Sequence, residues 1–203
     1  MKTKIAALVL VAAPIALVAG ELKLKDGASF CGSRKNAECL DPGSNTERGV
    51  VNGVRYRLFG ANAYIATMDE QEADSFGRDV VWSVHCQRDK MSGSRNCHAS
   101  FKTIFMFFEQ NGNESLLVGS DHFPGTVTSI KIGDKRFDTR DRDGEFPNGR
   151  TIINSFRDGK TAVTRYTKWP YRAWIDDEFT LRGSELAVQL SRWLVKNTER
   201  APD

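Results

Sequence analysis

The chain has 203 residues, 40% of them hydrophobic and 27% charged, which supplies enough apolar material for one real core and excludes collagen-like, coiled-coil and disordered chains. Its 29 Lys and Arg against 26 Asp and Glu give a formal net charge of +3, a surplus that would fit nucleic acid or an anionic membrane if it lay on the folded body. Two of the cations, however, belong to the first 20 residues.

Lys2 and Lys4 open the chain, residues 5–18 are apolar apart from Pro14, and Val18-Ala19-Gly20 places small residues before Glu21. This pattern predicts a secretory signal peptide over residues 1–20, because the run is shorter than the ~20 residues of a spanning helix and carries a proline. Its removal leaves 27 cations against 26 acids, a net charge of +1. The most apolar later segment, residues 104–108, is flanked by charge within two residues, so the mature chain is expected to have no membrane span. The expected location is the periplasm or the exterior. Near-neutral charge argues against nucleic acid, which needs a clustered positive face.

Residues 21–48 are polar and predict an N-terminal segment containing a disulfide loop, with Asp41-Pro42-Gly43-Ser44-Asn45 as a turn. A single β-rich domain is expected from residue 49 to 197. Val50-Val51, Asn52-Gly53 and Val54-Arg55-Tyr56-Arg57-Leu58-Phe59 predict a tight hairpin, since Asn-Gly accepts the positive φ angles of the turn and Val54, Tyr56 and Leu58 alternate with arginines. Residues 69–75 are acidic and fit a short helix or a loop. Strands follow at 80–84 and 100–108, the second apolar on both faces and so expected to be one central strand. Residues 116–118, 127–132, 161–166 and 178–181 continue the short-strand rhythm, with a short helix around Ile152, Ile153 and Phe156. Ser184 is the expected cap of a helix whose apolar positions Leu186, Leu190, Trp193 and Leu194 recur at helical spacing to about Asn197. Residues 198–203 read as a tail. The fold class is therefore mainly β, an antiparallel sandwich or barrel-like body with a C-terminal α-helix, with α+β as the alternative.

Four cysteines in an exported chain point to disulfides. Three connectivities are open to Cys31, Cys39, Cys86 and Cys97; the local one closes two short loops, of which Cys86 and Cys97 would staple a hairpin. His85-Cys86 and Cys97-His98 also hold metal-ligating residue types, but neighbours on a strand point to opposite faces, so no metal site and no cofactor is expected. Ser120-Asp121-His122 cannot form a catalytic relay from adjacent positions. Residues 138–149 lack the acid a calcium loop needs before Gly144 and read as a solvated loop, and Asp176-Asp177-Glu178 reads as a charged turn. No coherent catalytic set emerges. The candidate ligand contacts are Trp169, Tyr171 and Trp174, whose flat faces could stack a sugar ring or grip a partner, although core packing at a strand crossing would use the same residues.

Trp82-Ser83-Val84-His85-Cys86, then Cys97, Gly-punctuated strands, and Phe179-Thr180-Leu181-Arg182-Gly183 leading into a helix at Ala187 resemble the invasion-associated locus B family over residues 80–196. That resemblance implies an exported envelope or secreted protein concerned with host interaction, with no catalytic residues to transfer. A second stretch, residues 49–65, is similar to the early hairpin of secreted thermonuclease-like proteins. It implies a phosphate contact at Arg57, whereas Gly43-Ser44-Asn45-Thr46 and Asn62-Ala63-Tyr64-Ile65 stand where that family places calcium-binding carboxylates. The expectation is an exported, disulfide-containing, non-catalytic protein that binds a protein or glycan partner. The alternatives are a degenerate thermonuclease-like module on a polyanion and a carbohydrate-binding protein.

Overall fold

The computed structural model describes residues 22–42, 46–68 and 81–201. The leader read over residues 1–20, the centre of the 41–45 turn and the acidic stretch 69–75 lie outside them. In chain order the described elements are β1 (Leu22–Leu24), β2 (Ala37–Pro42), β3 (Thr46–Val51), β4 (Val54–Phe59), β5 (Asn62–Ala66), β6 (Val81–Arg88), β7 (Arg95–Phe101), β8 (Ile104–Glu109) and β9 (Glu114–Val118). There follow β10 (Thr128–Ile132), β11 (Lys135–Thr139), β12 (Glu145–Phe146), α1 (Gly149–Ser155), β13 (Thr161–Lys168), β14 (Ala173–Thr180), α2 (Ser184–Asn197) and β15 (Thr198–Arg200).

Strands β2 to β9 form an antiparallel meander to which β12 adds an edge, giving a nine-stranded sheet in the order β12-β9-β8-β7-β6-β5-β4-β3-β2. A four-stranded antiparallel sheet, β11-β10-β13-β14, stands beside it. The protein is thus mainly β with a C-terminal helix. Period-2 burial explains why the meander holds one register: Tyr56, Leu58, Ala63, Ile65, Trp82, Val84, Ala99, Phe101, Ile104, Met106 and Phe108 all turn to one face, and a slip of one residue would turn them all to the other. Across that face lies α2, packed on β5 to β8 through Leu186, Leu190 and Leu194. Ile130, Ile132, Ala162 and Phe179 of the smaller sheet close the same core, where Phe179 meets Phe101 edge-on with ring centres 5.5 Å apart.

The hairpin at Asn52-Gly53 has the expected two-residue turn, with φ of 51° and 74° between the paired Val51 and Val54. The continuous strand expected over residues 100–108 is instead two strands. Phe101 pairs with Ile104 across Lys102-Thr103, with Lys102 at φ 51°, so a tight turn breaks an apolar run that carries no glycine to announce it. Residues 198–200, read as tail, pair with β1 and bring the two ends of the described chain together. The helix cap also differs. Gly183, at φ 80°, precedes α2 and accepts the Ala187 N–H, while Ser184 is buried and makes no capping side-chain bond.

Both disulfides are local, Cys31–Cys39 and Cys86–Cys97. The second joins directly paired residues of β6 and β7 on the core face. The first closes a loop that Phe30 docks between Tyr56 and Trp193, with ring centres 5.5 and 5.6 Å away. Beneath it the buried Glu47 carboxylate accepts hydrogen bonds from Ser29 Oγ (2.7 Å), Phe30 N (3.1 Å), Cys31 N (2.8 Å) and Tyr56 Oη (2.5 Å). Burial first, then the hydrogen bond to Glu47, pushes the Tyr56 phenol far above the usual range.

Candidate functional site

The face of the large sheet opposite α2 carries its own aromatic residues. On β8, Met106 and Phe108 enter the core, so Phe105 and Phe107 point outward. They floor a groove of about 680 Å³ together with Leu117 of β9, while Trp169 forms a wall and Ser120, Asp121, His122, Arg142 and Asp143 line the rim. That volume falls in the ~300–1,000 Å³ range of small-ligand clefts.

Three segments hold the rim. The β9–β10 connection runs beside the end of β13: Phe123 N donates to Thr167 O (2.8 Å) and Trp169 N to Asp121 O (2.6 Å). The Trp169 ring stands 5.3 Å from Phe123, whose other contact is the Arg172 guanidinium at 4.8 Å. The β11–β12 turn is tied by Asp141, whose Oδ1 accepts Asp143 N (2.9 Å) and Glu145 N (3.1 Å). Those backbone bonds hold the Asp141 carboxyl below the usual carboxylate range and present Arg142 and Asp143 on an ordered turn.

His122 Nε2 donates to Val118 O (2.7 Å), and its ring lies 5.2 Å from Tyr166. Gly144 makes this possible, since a Cβ there would stand 2.4 Å from Nε2 and 2.7 Å from the Val118 carbonyl. Among the described residues Ser120 Oγ reaches only Asp121 Oδ2, at 3.4 Å. Ser120, Asp121 and His122 therefore share the groove without forming a nucleophile–base pair. Burial, followed by the charges of Asp121 and Asp177, raises the Tyr166 phenol.

The aromatic trio does not fill a strand crossing. Trp169, Tyr171 and Trp174 are 53%, 85% and 65% exposed. Only Trp169 lines the groove. Trp174 lies on β14 beneath the Arg165 guanidinium (5.3 Å), and Arg165 is paired with Asp176 in a bidentate bridge, its Nε to Oδ1 at 2.6 Å. Asp176, Asp177 and Glu178, read as a charged turn, are strand residues of β14. Arg57 lies on β4 opposite Arg48 and Tyr64, with its guanidinium 5.9 Å from the Phe59 ring. Four strand spacings, about 19 Å along the sheet, separate it from β8. The structure thus brings Trp169 to the groove and leaves Arg57, Tyr171 and Trp174 out of it.

Phe105 and Phe107 were legible only as strand residues. The signal was there, since an apolar run on both faces of β8 means that one face serves the core and the other something else. The pairing of β6 with β7 separates cysteines from histidines as strand alternation requires: Cys86 and Cys97 face the core, and His85 and His98 stand opposite each other on the outer face. Their rings are 5.4 Å apart, and burial, then the charge of His85, lowers the His98 imidazole. Among the described residues no group of three or more His, Cys, Asp or Glu could hold a metal ion, and no helix is long and apolar enough to cross a membrane.

The architecture defines a disulfide-stapled, mainly β protein with an open aromatic groove. No family model matches the chain, and no curated protein or solved structure matches it.

Proposed function

We propose that this chain is an exported protein that acts by binding, and that the groove beside β8 seats a neutral oligosaccharide. The observation that carries this reading is the combination of outward Phe105 and Phe107 and the wall of Trp169 with Asp121, Arg142 and Asp143 at the rim. Flat apolar faces stack against the C–H faces of a sugar ring, while carboxylates and a guanidinium bond its hydroxyls. The charges at the rim nearly cancel, which suits a neutral ligand better than a polyanion. Two disulfides support an oxidising location, periplasmic or extracellular.

The same reading includes kinship with the invasion-associated locus B family and a role at the cell surface. What supports it is Trp82 in the core four positions before Cys86, the Cys86–Cys97 bond, and the turn at Gly183 into α2.

The test is a panel of neutral and anionic oligosaccharides titrated by calorimetry against the disulfide-intact protein. Binding of a neutral member is expected, weakened at least tenfold by Trp169→Ala or Phe107→Ala and unchanged by Trp174→Ala. No binding across the panel, or equal binding by all three variants, refutes the assignment.

A further inference from the structure

We propose that His85 and His98 form a two-imidazole chelate for a divalent transition-metal ion, Cu²⁺ in preference to Zn²⁺, on the outer face of the large sheet. The site adjoins the saccharide groove, with Phe107 common to both, but needs no saccharide to form.

The two residues are direct partners across β6 and β7, so both imidazoles leave the sheet on the same side. With metal–nitrogen bonds of ~2.0 Å, two imidazoles bound at ~90–110° hold their ring centres ~4.5–5.2 Å apart. These rings stand 5.4 Å apart with planes inclined by 61°, close to that separation. The next pair along, Cys86 and Cys97, is covalently joined on the opposite face and fixes the separation of the two strands at this point.

The hydrogen bonding supports the same chemistry. His85 Nδ1 contacts Asn62 Oδ1. A carboxamide oxygen only accepts, so Nδ1 carries the proton and Nε2 keeps its lone pair. A ligating histidine is commonly oriented in this way, with its other nitrogen donating to an oxygen behind it. Asn62 comes from β5, adjacent to β6 and directly paired with His85, so three neighbouring strands build the arrangement. On the far side the Phe107 ring lies 6.2 Å from His98 and shields one flank from water. His85 itself is exposed and gives the ion access. Two ligands leave further coordination positions to water or to a donor from a bound molecule. Imidazole donors follow the order in which Cu²⁺ exceeds Zn²⁺ and Ni²⁺, hence the stated preference.

The experiment is a titration of the metal-free, disulfide-intact protein with Cu²⁺ and, separately, Zn²⁺, read by calorimetry and, for Cu²⁺, by electron paramagnetic resonance. The expected result is one Cu²⁺ per chain with hyperfine coupling to two imidazole nitrogens, and at least a tenfold loss of affinity in both His85→Ala and His98→Ala. Circular dichroism and thermal unfolding of the metal-free variants establish that each is folded. If His98→Ala fails to fold, the exposed His85→Ala variant decides alone. Undiminished Cu²⁺ affinity in a folded His85→Ala protein, or a signal lacking two coupled imidazoles, overturns the proposal.

Discussion

Replacing Glu47 tests how the N-terminal disulfide loop is attached to the sheet. Each carboxylate oxygen serves two donors: Oε1 accepts Cys31 N and Tyr56 Oη, and Oε2 accepts Ser29 Oγ and Phe30 N. In Glu47→Gln one oxygen becomes an amide that can only donate. The adjacent hydroxyl, Ser29 or Tyr56, can rotate to accept from it, but the backbone N–H on that side loses its acceptor. One buried orphaned N–H costs about 1–3 kcal/mol, and that is the expected destabilisation. Glu47→Ala strands Phe30 N, Cys31 N and the Tyr56 hydroxyl together, which sets about 3–9 kcal/mol as its range by the same rule. Tyr56→Phe removes a single charge-assisted bond and should cost about 1.5–3 kcal/mol. Urea unfolding at neutral pH with the disulfides intact measures all three. Trypsin adds a local reading, because Arg34 and Lys35 lie inside the Cys31–Cys39 loop and should be cut faster once it detaches. Glu47→Gln as stable as the parent, with no faster cleavage, would show that the four bonds do not hold the loop.

Gly144→Ala forces a Cβ at φ 78° to within 2.4 Å of His122 and 2.7 Å of the Val118 carbonyl, so a loss of about 2–4 kcal/mol is expected. A shift in thermal midpoint below 2 °C would contradict it. For pH, the lowered His98 imidazole means that the unfolded chain takes up its proton first as pH falls below the ordinary histidine range. The stability of the metal-free protein should therefore be full above that range and decline as pH falls toward the folded value. His98→Gln should flatten that decline in urea midpoints measured between pH 7.5 and 5.5. Parallel slopes for parent and variant would exclude His98 as the source.

How much of this was readable without the fold depends on the range of each interaction. The Asn52-Gly53 hairpin and the helical spacing of Leu186, Leu190 and Leu194 are local facts that the structure reproduces, and of the three cysteine connectivities left open it holds the local one. The break between β7 and β8 was hidden because Lys102 supplies a positive φ that a glycine would have advertised. Trp169 was singled out as an aromatic, but its place beside Phe105 and Phe107 arises from the β9–β10 connection lying along β13, a contact between segments about 45 residues apart.

The sequence alone determined the mainly β class, the Asn52-Gly53 hairpin, the alternation of β4 and the C-terminal helix, because hydrophobic alternation and turn chemistry act over a few residues, whereas the structure chose the local pairing from the three open to the cysteines. It also determined that cysteine and histidine neighbours would part to opposite faces. Only the tertiary structure decided what stands opposite each outward residue. Strand order placed His85 against His98 and the smaller sheet brought Trp169 to the floor made by β8, since contacts across a sheet are set by register and packing between distant segments.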